Sequence, residues 1–333
     1  MGGNALKHVG VKRISTEDLL IVQNEITNLF SEYLEIEFVP FVREKFDHGD
    51  IDVLVCSKSK DTISNILKRV YNPEYAVFNG GIISFAYKFK GNLYQVDFIT
   101  SNNMKKDKFY FSYGILGMVI GRMATRCELS FDGGLKLIIT GKNVKYVTNE
   151  IDIHDDQKIG KISLTNDPEN VCEFLGMSYD RWLQGFDINT DLYDWLLTCN
   201  LFKKSMFTKL NNDRGQIFVA YVQNFNDKEP YDVFEAIISR YSIMDKIIEI
   251  VEKAKRKENI KSKYDTHLIM QRGIQGKEIG SCDNYLKSRF DDFDEWIYQN
   301  DKETVLIKVN GLIDDFLKEN KHLGYSNRVQ IQL

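Results

Sequence analysis

Two carboxylates stand two residues apart in a run that otherwise reads as a buried strand, Gly49-Asp50-Ile51-Asp52-Val53-Leu54-Val55. Side chains on a strand alternate between its faces, so Asp50 and Asp52 point the same way. Two like charges held side by side repel, and burying either one unpaired is costly. A divalent cation is the usual resolution. Hard cations such as Mg²⁺ take carboxylate oxygens and keep coordination sites for water and phosphate. The stretch therefore predicts a metal-bearing strand and, with it, phosphate chemistry.

Helices and strands can be read around that run. Ser15 or Thr16 caps a helix to about Tyr33, with an apolar stripe of Leu19, Val22, Ile26, Leu29 or Phe30, and Tyr33. Glu37 to Val42 is extended around Pro40, and the polar Arg43–Gly49 segment suits a turn. Ile51–Cys56 is the acidic strand. Ser59 or Asp61 caps a helix through about Val70, with Ile63, Ile66, Leu67 and Val70 on one side. A hairpin follows: Ile82–Phe89, a Lys90-Gly91-Asn92 turn, then Leu93–Ile99. Its second strand carries Asp97 among large apolar residues, which predicts a third ligand meeting Asp50 and Asp52 across the sheet. Tyr110–Met123 reads as a strand-to-helix segment with Gly114, Gly117 and Gly121. Gly133-Gly134 is a turn before a strand over Leu135–Thr140. Short helices and turns alternate over 165–200, and helices are expected over 231–257, 282–298 and 302–320.

Composition narrows the function classes. The 43% hydrophobic and 28% charged content is that of a folded chain, and 4 prolines leave no disordered linker. The 5 cysteines are scattered without a CxxC pair, which favours reduced thiols and a cytoplasmic setting over a zinc site. No signal peptide, myristoylation motif or membrane span is expected. The first 150 residues are slightly basic and the remainder acidic, for a net charge of −4. That balance excludes the strongly basic footprint of tight nonspecific duplex binding. The cationic run Lys253, Lys255, Arg256, Lys257, Lys261 and Lys263 reads as a solvated helix face, with a local basic groove as the alternative. Trp182, Tyr193, Trp195 and Tyr221 read as core packing, with base stacking as the alternative.

Together these residues resemble the polymerase-beta-like nucleotidyltransferase superfamily, most closely the palm and thumb of family X polymerases. Gly49-Asp50-Ile51-Asp52-Val53-Leu54-Val55 is nearly that family's G-D-x-D-V-L-hydrophobic motif, and Val96-Asp97-Phe98 follows where its third Asp lies. Phe111-Ser112-Tyr113-Gly114-Ile115-Leu116-Gly117 stands where the family's Tyr-Phe-Thr-Gly-Ser segment lines the incoming nucleotide. Thr165–Val171 and then Phe174-Leu175-Gly176-Met177 are similar to the thumb segment. The resemblance covers roughly residues 37–180. It implies an α+β fold: a nucleotidyltransferase palm with a mixed or antiparallel sheet and helices on one face, a thumb-like α/β segment and a helical C-terminal domain. The corresponding segments are 1–103, palm with an N-terminal helix; 104–200, thumb-like; and 201–333, mainly helical.

This sequence departs from the family pattern in three places. Val39 and Pro40 stand where the family has the Gly-Ser that binds triphosphate at a helix N-terminus. Arg43 and Lys45 are then the nearest phosphate ligands, with Gly2-Gly3 as backbone donors if the N-terminus folds back. Ser112-Tyr113 replaces the family's Tyr-Phe pair, so sugar discrimination does not carry over. The DNA-binding helix-hairpin-helix region of family X has no counterpart in the roughly 36 residues before the palm. In the helical part, Gly276-Lys277-Glu278-Ile279-Gly280 looks like a turn of tRNA nucleotidyltransferases and bacterial poly(A) polymerases, or equally a Gly-capped helix start.

The resemblance implies transfer of NMP or dNMP from an NTP to an acceptor hydroxyl with two Mg²⁺ ions, Mn²⁺ being able to substitute. Asp50 and Asp52 would bridge both ions, and Asp97 would bind one and take the acceptor proton. Lys45, Arg43, Gly49, Ser112, Tyr113 and Gly114 would bind the nucleotide. The expected acceptor is a nucleic-acid 3′ end, single-stranded or tRNA-like RNA, extended without a template as by a tRNA nucleotidyltransferase or poly(A) polymerase. Modification of a small molecule or protein, and a small family X-like DNA polymerase, are the competing functions. A non-catalytic binding module fits poorly, because it would keep three costly acids without use. The Lys-, Asn- and Ile-rich composition suits an AT-rich phage, viral or bacterial genome, and for a virus the compartment is the host cytoplasm.

Overall fold

A computed structural model describes residues 4–56, 59–148, 154–210, 213–228 and 232–320. The chain is mixed α+β and divides into two compact units, Met1–Thr140 with Gly160–Ser242, and Gly141–Ile159 with Ile243–Leu333. These units do not follow the segment boundaries expected at 103 and 200. Residues 104–140 and 160–200 fall with residues 1–103 in the first unit, and 141–159 fall in the second.

The first unit opens with strand β1 (Ile14–Ser15) and helix α1 (Thr16–Phe30). The Ser15 hydroxyl accepts from the Asp18 amide at 3.1 Å, and Glu17 and Asp18 in the first turn favour the positive end of the helix dipole. Leu19, Val22, Ile26 and Phe30 are buried along one stripe. The helix stops three residues short of the expected end. Tyr33 therefore leaves the stripe and is 46% exposed, with the Arg69 guanidinium over its ring at 4.8 Å.

Next come β2 (Glu35–Phe38), β3 (Asp47–His48), β4 (Ile51–Cys56) and α2 (Lys60–Val70). They are followed by β5 (Ala76–Asn79), β6 (Ile82–Phe89) and β7 (Asn92–Ser101). Five of these strands form a mixed sheet in the order β2-β4-β7-β6-β5. The β6–β7 turn is tight because Lys90 and Gly91 both take positive φ, 47° and 77°, which matches the twist of a two-residue hairpin. Strand β4 pairs in parallel with β7, and the other neighbours are antiparallel. Helices α1 and α2 bury their stripes on Val53, Val55, Phe85, Val96 and Phe98. Phe98 is the hub, with Phe30 and Phe85 edge-on at 5.1 and 4.9 Å.

Tyr110–Met123 contains no strand, contrary to the sequence expectation. Helix α3 (Met104–Phe111) starts upstream, where the Asn103 side chain accepts from the Lys106 amide at 3.0 Å, and it takes in Tyr110 and Phe111. Positive φ at Tyr113 and Gly114 then breaks the chain before α4 (Leu116–Arg126). Strands β8 (Leu129–Phe131) and β9 (Leu135–Thr140) flank the Gly133-Gly134 turn. Helix α5 (Gly141–Thr148) follows, and β10 (Lys158–Thr165) completes a three-stranded sheet. Helices α6 (Pro168–Leu175), α7 (Tyr179–Gln184), α8 (Asn189–Leu197), α9 (Asp213–Val222) and α10 (Val233–Tyr241) complete the first unit.

In the second unit α5 joins α11 (Met244–Lys263), α12 (His267–Gln271), α13 (Lys277–Lys287), α14 (Phe293–Gln299) and α15 (Lys302–Glu319). The helix expected over 231–257 is interrupted, because Ser242 sits at φ 45°, and α11 runs on to Lys263; Tyr231 lies outside the described residues. The helix expected over 282–298 is also two, since Asp292 caps α14 by accepting from the Glu295 amide at 2.9 Å. Gly276, at φ 60°, is the N-cap of α13, and a Cβ on Gly280 would meet only open space. The Gly-x-x-x-Gly run is therefore a capped helix start. Ile269, Ile274, Leu286, Ile297, Val309 and Ile313 form this unit's core.

Candidate metal centre and its cationic flank

Strand alternation and sheet register build an acidic cluster. Asp52 lies on β4, with Asp50 one residue ahead of the strand, and the parallel register sets Asp52 directly beside Asp97 of β7. Ligand oxygens of Asp50, Asp52 and Asp97 all lie within 4.8 Å of one another. Among the described residues no other trio of His, Cys, Asp or Glu side chains can share an ion. Burial, then the neighbouring Asp50 and Asp97, pushes the Asp52 carboxyl up to about 7. Burial is also the chief cause that takes Asp97 to about 6, reinforced by Asp50 and opposed by hydrogen bonds from Ser84 and Gln95.

Asp97 is held in place on its own face of the sheet. Ser84 stands opposite it on β6, and the Gln95 amide nitrogen donates to both Asp97 oxygens, at 2.9 and 3.1 Å. The Leu6 amide donates to the Gln95 carbonyl oxygen at 3.1 Å and so fixes which way that side chain faces. This N-terminal segment reaches Gln95 because β7 begins four residues before its pairing with β4. Lys12 covers the free edge, donating to the Leu93 carbonyl at 2.8 Å.

Cations flank the acids. Lys45 is part-buried, and its ammonium donates to His48 Nδ1 at 2.7 Å. His48 Nε2 lies 3.1 Å from the Thr16 hydroxyl, which itself donates to the Lys45 carbonyl. That chain of donors requires a neutral imidazole with its proton on Nε2. Burial, with Lys45 and Arg214 adding, takes His48 down to about 4. Burial and then Arg214 lower Lys45 to about 8, against the opposing pull of Asp50 and Asp52. Arg13 is paired through two nitrogens with Asp47, both at 2.7 Å.

Of the residues expected to bind nucleotide, Lys45 lies in this flank and Gly49 joins β3 to Asp50. Arg43 is committed elsewhere: it donates to Asp187 and to the Gln184 carbonyl, each at 2.6 Å. Ser112 is buried and donates to the Lys108 carbonyl. Tyr113 is also buried, its ring edge-on to Phe186 at 5.0 Å and its hydroxyl donating to the Trp182 carbonyl at 3.3 Å. Gly114, at φ 72°, lies against the Arg214 guanidinium, where a Cβ would collide. Gly2 and Gly3 lie outside the described residues. Trp182, Tyr193 and Trp195 pack the core, and the Tyr221 hydroxyl donates to Asp194 at 2.7 Å. In the α11 run, Lys253 pairs with Glu249 at 2.5 Å, Arg256 pairs with Glu295, and Lys263 donates to the Ile297 and Tyr298 carbonyls.

Sequence reasoning missed Gln95, Ser84, His48 and Arg214. Gln95 was within reach, since it stands two residues before Asp97 on the same strand face. Arg214 carries no local signal, because only the fold brings α9 to this flank. Three carboxylates with hard oxygen donors, mutually repelling and part-buried, could hold a metal ion. Neither protein-family models nor curated proteins match this chain.

Proposed function

We propose that this protein is a metal-dependent nucleotidyltransferase that moves a nucleoside monophosphate from an NTP to an acceptor hydroxyl. The observation that carries this is the cluster in which Asp52 and Asp97 pair in register on adjacent parallel strands and Asp50, just ahead of the first strand, brings its carboxylate to them. The three carboxylates would hold Mg²⁺. When bound, the metal neutralises phosphate charge and makes the acceptor hydroxyl easier to deprotonate. The acceptor oxygen bonds to the α-phosphorus as the bond to pyrophosphate breaks, and the hydroxyl proton passes to an Asp97 oxygen. Gln95 and Ser84 orient that carboxylate, so the reacting hydroxyl meets one fixed acceptor geometry. Lys45 supplies positive charge beside the acids.

The acceptor in this proposal is a nucleic-acid 3′ end. Its support is the separate helical unit, where Lys257 and Lys261 of α11 are exposed and free to meet phosphates. The test offers the full chain Mg²⁺ or Mn²⁺, each labelled NTP or dNTP, and single-stranded RNA, single-stranded DNA, primed DNA or no polymer. Label on a polymer end supports the proposal and names the nucleotide. Metal-dependent consumption of NTP without polymer labelling moves the acceptor to a small molecule or a protein. No metal-dependent consumption of any nucleotide refutes it.

A further inference from the structure

We infer that Lys45 and Arg214 form the triphosphate anchor of this site, seated against the backbone at Gly114, in place of a Gly-Ser turn. The inference rests on the nucleotidyl-transfer proposal above for the identity of its ligand. Its evidence is separate.

Two cations are held within each other's field at this place, and neither has an ion-pair partner among the described residues. Geometry ties each of them to the acid strand: the Arg214 guanidinium lies against Gly114, the neighbouring Tyr113 amide donates to the Pro40 carbonyl, and the Val39 amide beside it donates to the Asp52 carbonyl, while the Lys45 ammonium bonds His48 two residues before Asp50. The Lys45 ammonium donates to the neutral His48 ring, which supplies an acceptor and no negative charge. By contrast, Arg13 pairs with Asp47, Arg43 with Asp187, and Arg181 with Asp191 at 3.6 Å. A fold that pushes Lys45 and Arg214 together unpaired leaves a repulsion that a polyanion would relieve.

The surroundings make this place rigid. Arg214 is exposed on the first turn of α9, and that helix is locked by Phe218, edge-on to Tyr193 at 5.3 Å and to Phe207 at 5.2 Å. The guanidinium reaches the chain at Gly114 because no Cβ stands in its way. The Tyr113–Gly114 turn is in turn tied to the strand side, where the Tyr113 amide donates to the Pro40 carbonyl at 2.8 Å. Pro40 lacks the N–H that a phosphate-binding turn would offer there. The chain thus has no donor at Pro40, spends the Val39 amide on the Asp52 carbonyl, and gains a planar, multi-donor cation from a distant helix. The Lys45 charge is opposed by Arg214 and favoured by Asp50 and Asp52, so it interacts with both the cation and the acids. A chain of phosphates running from Arg214 past Lys45 would bring its α-phosphate toward the carboxylates.

Inorganic tripolyphosphate, titrated calorimetrically without metal, is the probe. The full chain should bind it, and Lys45→Met and Arg214→Ala should each weaken binding by about tenfold or more, the loss of one charge-assisted contact. Arg126→Ala, a surface cation elsewhere, should bind as wild type. Mn²⁺ binding at the acids, followed by electron paramagnetic resonance, should persist in all three variants, unchanged in Arg126→Ala and no weaker in Lys45→Met, where a charge that repels the ion is gone, which shows that the fold and the acid cluster survive. The inference is overturned if the wild type does not bind tripolyphosphate, or if Arg214→Ala binds it as the wild type does. Arg214 is exposed, so this variant tests the anchor even if Lys45→Met fails to fold. Anchor-dependent binding with no transfer to any acceptor would keep the anchor and sink the nucleotidyl-transfer proposal. Transfer with an unchanged KM for NTP in Arg214→Ala would do the reverse.

Discussion

Replacing Asp52 with Asn should stabilise the metal-free protein, and by an amount that depends on pH. The Asp52 carboxyl titrates near 7 in the folded chain because burial and two neighbouring acids disfavour its charge. In the unfolded chain it returns to about 3.9. The folded state thus holds a proton that the unfolded state has released between about pH 4 and 7, and stability from this group falls as pH rises through that window. Below about pH 4 the group costs nothing, and above pH 7 its full penalty applies. About three pH units at roughly 1.4 kcal/mol each give about 4 kcal/mol as the upper limit. Asp97 and Asp50 still repel each other in the variant, so a gain of about 2 to 4 kcal/mol is expected at pH 8. At pH 4.5 it should shrink to about 1 kcal/mol or less. The assay is urea denaturation in chelator. Trp182 and Trp195 lie in the unit that holds the acids, so a Trp296→Phe background makes fluorescence report that unit alone. Saturating Mg²⁺ should reverse the order at pH 8, since it stabilises the intact triad by mass action. Equal stability of the two proteins in chelator at pH 8, or a gain of the same size at pH 4.5, would refute the placement of Asp52 in a repelling acid cluster.

Three further outcomes follow from the packing and hydrogen bonding. Gln95→Leu frees both Asp97 oxygens and should lower kcat about 5- to 30-fold with little change in the KM for NTP, a split that steady-state kinetics would show. Gly114→Ala should weaken NTP binding as Arg214→Ala does, because its Cβ displaces the guanidinium, and should cost about 1 kcal/mol more in stability for the positive φ. Phe98→Ala removes the fully buried ring at the hub of Phe30 and Phe85, and thermal denaturation should register about 3 to 5 kcal/mol of lost stability.

The acidic strand and the β6–β7 hairpin were legible because alternation and a Lys-Gly turn are local signals. The pairing of Asp52 with Asp97 was legible for a different reason. An Asp among large apolar strand residues needs a partner, and the only such acids nearby were Asp50 and Asp52. Strand β5 was not read, since Ala76–Asn79 is a short, exposed edge with no buried face to give it a period. The break at Ser242 was missed because a serine carries no residue-type signal for the left-handed backbone it adopts. Ser112 and Tyr113 illustrate the limit of motif position. Their place in the chain suggested a nucleotide-facing pair, yet both side chains are spent on holding the α3–α4 turn to its neighbours. Arg214 needed the fold itself, because the helix that carries it lies far along the chain from the acids it accompanies.

The most direct measurement is transfer of label from an α-labelled NTP, with pyrophosphate release followed in the same sample, for wild type and Asp52→Asn at saturating Mg²⁺. The account predicts equal amounts of transferred label and pyrophosphate with the wild type, and neither with Asp52→Asn or in chelator. Pyrophosphate and label appearing at the same rate in Asp52→Asn as in the wild type would contradict it.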